Sequence, residues 1–316
     1  MRAKVLAERA LSAPVDAPGW EASPRAVLVG LIGSGIQASK SPALHEREGE
    51  AQGLRYLYRL VDLDKLGIGV EAIGELLAAA PRLGFAGFNI THPAKQAVIP
   101  FLDDLSPEAE AIGAVNTVIF DGGRRVGHNT DAYGFGESLR RFLPDARLDR
   151  VVQIGAGGAG AAVAHAILSR GAGTLTLVDL DASRAIALAK PLRKRFGDRV
   201  AVAVDPPSLA DADGLINASP VGMARYPGMP VPEPLLHARL WVADIVYTPL
   251  ETELLRTARR LGCRTLAGGG MAVFQAVEAF RLFTGIAPDA ARMLRHFDSM
   301  NAGADLSSTN HTAKGG

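Results

Sequence analysis

The sequence predicts an α/β protein whose second half is built on a doubly wound parallel sheet. Short apolar runs alternate with helical segments along most of the 316 residues, and the alternation restarts at Val151 with five more such runs. A glycine-rich turn after the first of these five runs is typical of the same architecture. Together with the chain length, this pattern indicates two domains.

The first half alternates strand and helix candidates. Its predicted strands are AVLVGLIG, LRYLYRLVDL and GFAGFNIT. SPALHEREGEAQG is a predicted helix with Pro42 near its first turn, and GVEAIGELLAAAPRLG is a predicted amphipathic helix that ends at a glycine. A hairpin with a Gly-Gly turn is predicted for AIGAVNTVIFDGGRRVGHN.

The second half contains five predicted strands and a long final helix. The strands are VVQIG, TLTLVDL, VAVAVD, GLINAS and LWVADIVY, and the helix is GMAVFQAVEAFRLFTG, which is able to return and pack on the first domain. Residues 1–24 are interpreted as a disordered extension and residues 299–316 as a mobile tail, because both are poor in periodic apolar residues.

Composition excludes several classes of function. The formal net charge is +1 with both signs scattered, so no basic surface for nucleic acid or anionic membrane is expected. Cys263 is the only cysteine, which excludes an internal disulfide or a zinc-binding cysteine cluster and fits a reducing cytoplasm. His92 and His128 lack the spacing of metal ligands, and no metal site is predicted.

A Gly-x-Gly-x-x-Gly motif lies directly after the strand candidate VVQ and before the helical segment AAVAHAILSRG. Glycines at this spacing permit a tight turn and let the backbone approach a pyrophosphate at a helix N-terminus. The alternative is a glycine turn that only packs a helix on a sheet. The motif thus predicts a Rossmann domain that binds a dinucleotide through Gly155, Ala156, Gly157, Gly158, Ala159 and Gly160.

Asp179 ends the next strand candidate, 19 residues after Gly160. An acidic side chain there can accept hydrogen bonds from ribose hydroxyls and repels a 2′-phosphate, which favours NAD over NADP. Alternatively, Asp179 only caps the following helix, a role that Asp181 or Ser183 can also fill. Arg184 leaves the choice partly open, since a nearby arginine weakens discrimination against phosphate.

Small hydroxyl and amide side chains occur in several segments of the first half, together with one cation, Lys95, and one anion, Asp131. This mixture suits a small, neutral-to-acidic polyol substrate. Taken singly, each residue also has a structural interpretation: Ser41 can be a helix N-cap, Asn116 a turn residue and Lys95 a solvated charge.

Eight motifs occur in a fixed order: SKSPALH, GFNITHPAK, IGAVNTV, GHNTDAYGF, GAGGAG, NASPVGM, DIVYTPLETELL and GMAVFQAVEAF. In this set and order the chain resembles the shikimate dehydrogenase family, in particular its quinate/shikimate and NAD-using branches. The resemblance covers about residues 27–297. It implies oxidation of one secondary ring alcohol of shikimate, with hydride transfer to a nicotinamide.

The resemblance also implies roles for individual residues. Lys95 and Asp131 match the catalytic pair, and which of them is the base stays open. The implied substrate ligands are Ser39, Ser41, Asn89, Thr91, Asn116, Tyr247 and Gln275. The implied positions beside the nicotinamide are Asn217, Ser219, Met223, Gly269 and Met271. A lysine suits proton transfer better than an arginine, because burial can lower the pKa of an amine whereas a guanidinium stays protonated.

The sequence departs from the family pattern in two places, and a third position bears on the choice of substrate. NADP-using members carry Asn-Arg-Thr where this chain has Asp179-Leu180-Asp181, which supports NAD. Phe274 stands where a histidine is expected, and nothing in the sequence explains that difference. Quinate-using members tend to have threonine at the position of Ser41; one methyl group is worth on the order of 1 kcal/mol, so the sequence leans to shikimate without excluding quinate.

The resemblance implies a substrate domain of residues 25–130 and 270–298, and a Rossmann NAD-binding domain of residues 131–269, with the site in the cleft between them. Two alternatives remain: a dehydrogenase for a modified ring such as aminoshikimate, and a non-catalytic NAD(H)-binding regulator. A regulator would need neither Lys95 nor Asp131. Monomer and homodimer are both compatible with the sequence.

Overall fold

The computed structural model describes residues 25–205 and 208–309. The first half forms a six-stranded sheet from β1 (Ala26–Gly33), β2 (Arg55–Asp62), β3 (Phe85–Ile90), β4 (Asp104–Leu105), β5 (Thr117–Asp121) and β6 (Arg124–His128). The order across the sheet is β2-β1-β3-β5-β6-β4. Strands β2, β1 and β3 are parallel, and β5 pairs antiparallel with both β3 and β6.

The predicted hairpin forms between β5 and β6. Asp121 pairs with Arg124, so Gly122 and Gly123 form a two-residue turn with positive φ angles of 55° and 83°. Such turns match the twist of the flanking strands, and glycine adopts these angles without a steric penalty. Because β5 is antiparallel to both neighbours, the ends of β3 and β6 lie at the same edge of the sheet, on either side of Thr117.

Helices connect and cover the strands of the first half. They are α1 (Ser41–Ala51), α2 (Leu63–Leu66), α3 (Ile73–Ala79), α4 (Ala94–Ala97), α5 (Pro107–Ile112) and α6 (Thr130–Phe142). The amphipathic helix predicted for residues 69–84 is only partly α-helical: 3₁₀ turns at Val70–Ala72 and Ala80–Leu83 flank α3. Pro81 lies in the second turn, where a proline disfavours continued α-helix.

The second half forms a six-stranded parallel sheet. Its strands are β7 (Arg150–Ile154), β8 (Thr174–Val178), β9 (Val200–Val202), β10 (Gly214–Asn217), β11 (Trp241–Asp244) and β12 (Arg264–Leu266). The order is β12-β11-β10-β7-β8-β9, which is the Rossmann order. The first five strands follow the sequence prediction, whereas β12, only three residues long, was missed. Chain order reverses between β7 and β10, where ligands bind in such sheets.

The remaining helices are α7 (Gly158–Ser169), α8 (Ala182–Phe196), α9 (Glu253–Arg260), α10 (Gly268–Thr284) and α11 (Ala290–Thr309). As expected, α10 returns to the first half, where it packs along α6 and on β1, β3 and β5. A Cβ on Gly134 would lie 2.6 Å from the carbonyl oxygen of Met271, so α6 and α10 approach more closely than larger residues would allow. This contact joins the two halves.

Apolar side chains of α10 cover one face of the first sheet. Phe280 and Phe283 pack with Val27 and Val29 of β1, and the Phe280 ring stacks on Tyr56 at 5.2 Å. Helix α11 packs on α1 and α10, and it runs to Thr309, past residue 299, where the sequence analysis placed the start of a mobile tail. The extension predicted for residues 1–24 lies outside the described residues. In the described ranges, no helix has the length and apolar character needed to span a membrane.

Acid is expected to weaken the fold through His45 in α1. The ring is fully buried among aromatic side chains, 3.1 Å from the Tyr56 hydroxyl, and burial lowers its pKa from 6.5 to about 3. In the unfolded chain, His45 therefore becomes protonated below pH 6.5. In the folded protein it stays neutral down to about pH 3. Stability from this group is complete above pH 6.5 and is lost as the pH falls, by about 1.4 kcal/mol per unit.

The measurement is urea unfolding of the parent and of His45→Gln at pH 7.5 and 5.5. The free energy of unfolding of the parent should fall by about 1.4 kcal/mol more than that of the variant, because other titrating groups are shared. Equal pH dependence in the two proteins would show that His45 does not titrate on unfolding.

Candidate active site

Lys95 and Asp131 come together from separate segments. Lys95 lies in the short helix α4 that follows β3, and Asp131 lies in the first turn of α6. The Lys95 Nζ atom is 2.6 Å from the Asp131 Oδ2 atom, with side chains 19% and 9% exposed. Two oppositely charged groups at this distance, open to the solvent on one side, can share and pass on a proton.

The start of α6 fixes the position of Asp131. Asn129 is the N-cap, and its Oδ1 atom accepts hydrogen bonds from the backbone N–H groups of Asp131 and Ala132. Its Nδ2 atom donates to the carbonyl oxygen of Ala114. A carboxylate in the first turn is also stabilised by the helix dipole. Asp131 is therefore not the cap of its helix.

The pair lies directly beside the glycine-rich turn of the second half. A Cβ on Gly158, the first residue of α7, would be 3.7 Å from the Cδ atom of Lys95. The predicted catalytic pair and the predicted dinucleotide site are thus neighbours.

Asn89 and Asn116 belong to one buried hydrogen-bond network. The Asn89 Nδ2 atom donates to the Thr117 hydroxyl at 3.0 Å, and the Asn89 Oδ1 atom accepts from the Tyr58 hydroxyl at 2.8 Å. The Asn116 amide donates to the Thr130 hydroxyl at 2.9 Å and accepts from the Thr130 N–H at 2.7 Å. Most of the bonding capacity of both amides is used within the protein, so the network holds Thr130, the residue before Asp131, in place.

Ser39 lies in the loop between β1 and α1, and Ser41 follows at the start of α1. The carboxylate of Asp62 holds that loop by accepting hydrogen bonds from the N–H groups of Gly35 and Ile36 and from the Gln37 amide. Ser41 is the first residue of α1 and not its N-cap, and its backbone N–H donates to the Ser39 hydroxyl. Both serines are half-buried, as suits residues that line a cleft.

Tyr58 joins the serine loop to the amide network. Its hydroxyl contacts Asn89 and is hydrogen-bonded to the Ser41 side chain, and burial raises the pKa of the phenol. Tyr58 is not among the site residues predicted from the sequence. The alternation of buried and exposed residues in β2 places Tyr56 and Tyr58 on the inner face, which is the signal that pointed to it.

Tyr247, Gln275 and Thr91 surround the same region. Tyr247 follows β11 and is 42% exposed. Desolvation raises the pKa of its hydroxyl, the positive charge of Lys95 opposes that shift, and the negative charge of Asp131 adds to it. The Gln275 Oε1 atom is 3.5 Å from the Thr130 hydroxyl. Thr91 continues β3, with its N–H bonded to the carbonyl oxygen of Ile32.

The glycine-rich turn is tightly packed at two of its glycines and open at a third. Gly155 has φ +102°, and a Cβ there would lie 2.5 Å from the backbone of Ala218, so only glycine fits. A Cβ on Gly160 would lie 2.4 Å from the carbonyl oxygen of Gly155, which explains the tight strand–helix contact. A Cβ on Gly157 would meet nothing within 4 Å, so this backbone is open to a ligand. Ala156 and Ala159 complete the turn.

Asp179 is already bonded to this turn. Its Oδ2 atom accepts a hydrogen bond from the Ala156 N–H at 2.7 Å, and its Oδ1 atom accepts one from the Asp181 N–H. Asp181, not Asp179, caps α8 through the Ser183 N–H. Arg184 lies 3.6 Å from the Asp181 carboxylate, and both are exposed. The capping alternative for Asp179 is therefore excluded, and Arg184 has an acidic partner.

The residues assigned to the nicotinamide side do not all face the cleft. Met223 is exposed and Ser219 half-buried on the loop after β10. Asn217 is fully buried beneath that loop, and its amide bonds Val221 and Asp244, so it supports the loop instead of facing a ligand. Gly269 is buried with Leu250 and Phe297 within 3 Å of its Cβ position, and Met271 is also buried. Within residues 25–205 and 208–309, no cluster of His, Cys, Asp or Glu could hold a metal ion.

Comparison with known proteins decides the family. Residues 31–118 match the shikimate dehydrogenase substrate binding domain, and residues 268–296 match the shikimate 5′-dehydrogenase C-terminal domain. A shikimate dehydrogenase (NADP(+)) of Streptomyces avermitilis is 66% identical over 271 residues, which are 84% of this chain and 93% of that protein. The chain belongs to the shikimate dehydrogenase family.

Among the family members that resemble this chain, some are named as NADP(+)-dependent and others as NAD(+)-dependent. A quinate/shikimate dehydrogenase (NAD(+)) of Corynebacterium glutamicum is 50% identical over 283 residues, covering 87% of this chain and 99% of that protein. The solved structure of quinate dehydrogenase from Corynebacterium glutamicum in complex with NAD has a TM-score of 0.82 at 49% identity, covering 87% of this chain and 99% of that one. The two-part α/β fold with a Rossmann half is thereby confirmed.

Proposed function

We propose that this protein catalyses the reversible, NAD-dependent oxidation of shikimate to its 3-dehydro ketone, with quinate as a second substrate. The observation that carries the proposal is the Lys95–Asp131 pair, 2.6 Å apart and beside the glycine-rich turn, where a Cβ on Gly158 would lie 3.7 Å from the Lys95 Cδ atom. An alcohol held beside this pair lies within reach of both a proton acceptor and the dinucleotide site.

The pair would act as one unit for proton transfer. As an ammonium ion Lys95 has no lone pair, so in the ionic form the carboxylate of Asp131 is the acceptor and Lys95 stabilises the developing alkoxide. If Lys95 has first lost its proton, the amine accepts directly. A dinucleotide held by residues 155–160 and Asp179 would supply the hydride acceptor.

The cleft offers separate groups for the ring and for its carboxylate. Ser39 and Ser41 provide neutral hydroxyl donors after β1, and Tyr247 provides a third hydroxyl across the cleft. The buried hydrogen-bond network of Asn89 and Asn116 keeps Thr130 and Gln275 in place. This arrangement suits a small acidic polyol and has no cluster of cations for a phosphate.

The preference for NAD rests on three side chains at the end of β8. Asp179 places a carboxylate against the backbone of the glycine-rich turn, Leu180 is fully exposed and uncharged, and the Arg184 guanidinium lies beside Asp181. A second negative charge here is unfavourable. The relative named for NADP shows that the family does not fix the cofactor, so the chain's own residues must.

Initial rates with NAD and NADP, each with shikimate and with quinate, test this proposal at alkaline pH. We expect kcat/KM for NAD to exceed that for NADP about tenfold or more, because like charges at close range cost several kcal/mol. We also expect shikimate to be used better than quinate, since Ser41 lacks the methyl group typical of quinate-using members.

Asp179→Asn is the informative variant, because an amide can still accept the Ala156 N–H bond while the charge is lost. The NAD/NADP ratio should fall toward one, while Asp145→Asn, an exposed control, should leave it unchanged. A parent enzyme that prefers NADP would show that Arg184 outweighs Asp179. No turnover with either acid, combined with tight NADH binding, would favour a modified ring or a regulator.

A further inference from the structure

The carboxylate of Asp244 joins two loops that flank the cleft. Asp244 ends β11 and is 1% exposed. Its Oδ1 atom accepts hydrogen bonds from the Asn217 amide at 2.9 Å and from the Val246 N–H at 3.0 Å. Its Oδ2 atom accepts a bond from the Thr252 hydroxyl at 2.7 Å. The Asp244 side chain thus contacts Asn217, which precedes one loop, and Val246 and Thr252, which lie near the two ends of another.

The first loop comprises residues 218–223, here called the β10 loop. Asn217 shapes it by accepting bonds from the Ser219 hydroxyl and N–H at 2.6 and 3.1 Å and by donating to the Val221 carbonyl oxygen at 2.8 Å. The loop touches the glycine-rich turn, since the backbone of Ala218 lies against Gly155. Because Asp244 holds Asn217, it fixes the orientation of the amide that shapes this loop.

The second loop comprises residues 245–251, here called the β11 loop, and carries Tyr247. Asp244 bonds the N–H of Val246 at its start and the hydroxyl of Thr252 at its end, and Thr252 caps α9. The two loops meet at the carboxylate: a Cβ on Gly222 would lie 3.3 Å from the Thr252 side chain and 3.6 Å from the Asp244 Oδ2 atom.

The chemistry of the group suits this connection. Burial raises the pKa of Asp244 to about 6, against three hydrogen bonds that lower it, so the side chain is mainly an ionised acceptor at neutral pH. A buried charge is costly unless it is well bonded, and a hydrophobic residue would fill the same space at less cost. A purely packing role does not explain an aspartate whose contacts are three polar donors.

We propose that Asp244 is a positioning residue that fixes the β10 loop and the β11 loop relative to each other, and thereby sets the distance between the nicotinamide side and Tyr247. The effect of Asp244 on NADH and shikimate binding rests on the proposed function. Its structural part, the coupling of the two loops, does not require turnover.

The test compares Asp244→Ala with Asp244→Asn by amide hydrogen exchange, NADH binding and steady-state kinetics. An asparagine can accept from Asn217 and Val246 and donate to the Thr252 hydroxyl, so it should keep both loops in place. In Asp244→Ala, we expect amides of both loops to exchange about tenfold faster or more, because local opening becomes easier. The Kd for NADH and the KM for shikimate should rise about fivefold or more, while Asp244→Asn stays within about threefold of the parent on every readout.

Thr252 provides a second pair of variants in case Asp244→Ala does not fold. Thr252→Val removes only the bond to Oδ2 at similar size, and should loosen the β11 loop more than the β10 loop. Thr252→Ser keeps the hydroxyl and is the matched control. The proposal would be overturned if a variant had a lower unfolding temperature but unchanged hydrogen exchange, Kd for NADH and KM for shikimate. It would also be overturned if Asp244→Asn were as impaired as Asp244→Ala. If the parent turns over neither acid but Asp244→Ala still loosens both loops, the proposed function fails and the coupling stands.

Discussion

Lys95→Met is expected to lower kcat about 10²–10⁴-fold, the usual effect of removing one proton-transfer group. Methionine has a similar length and can keep the packing of the Lys95 stem against Gly158, but it can neither carry a proton nor stabilise an alkoxide. The Kd for NADH should stay within about twofold, since the dinucleotide is proposed to bind through residues 155–160 and Asp179. Stopped-flow or steady-state rates with shikimate and NAD measure the first effect, and NADH fluorescence the second.

Two further variants make this result specific. Lys95→Arg keeps a positive charge but not a proton that can leave, so its kcat should stay low. Lys65→Met removes an exposed lysine of α2 and should leave kcat unchanged. A Lys95→Met enzyme with most of its turnover would exclude Lys95 from the reaction, whatever its distance from Asp131.

Asp131→Asn is expected to lower kcat by a similar factor, about 10²–10⁴. The amide still occupies the first turn of α6, where the Asn129 cap bonds the backbone of residue 131, so the local fold should be kept. What is lost is the charge that pairs with Lys95 and the ability to accept a proton. Asp121, the exposed last residue of β5, changed to asparagine, is the control.

A double-mutant cycle distinguishes one proton-transfer unit from two independent contributions. Because Lys95 and Asp131 are in contact, the double variant Lys95→Met/Asp131→Asn should be no more than about tenfold slower than the slower single variant. Effects that multiply across the two changes would instead indicate separate roles, such as alkoxide stabilisation by one residue and substrate orientation by the other.

The parts of the fold that depend on local pattern were predictable from the sequence. Strand β1 is a continuous apolar run, β7 leads directly into the glycine motif, and the Gly122-Gly123 pair is typical of a hairpin turn. Strand β12 was not predictable, because Arg-Thr-Leu has no pattern of its own and becomes a strand by pairing with β11. The helix over residues 69–84 has the right apolar period, but Pro81 and the loop geometry change its ends to 3₁₀ turns.

Some residues of the candidate site were likewise predictable from local motifs, whereas others depend on the tertiary structure. Motifs identified Lys95, Asp131 and the glycine-rich turn, and the structure brings all three together. The amide network was not predictable, because it depends on register: Asn89 lies opposite Thr117 in the β3–β5 pair, which turns two separate motifs into neighbours. Asn217 and Gly269 were assigned to the cofactor surface by motif alone, and only the packed structure shows that they lie beneath it.

The helix that covers the first sheet is made near the end of the chain. Phe280 and Phe283 of α10 close the face of β1 formed by Val27 and Val29, more than 200 residues earlier in the sequence. During translation, β1 and its neighbours emerge first, yet that apolar face stays open until α10 has left the ribosome. The order of synthesis and the order of packing therefore run in opposite directions, and a nascent chain paused before residue 268 presents an uncovered sheet to chaperones and to other nascent chains.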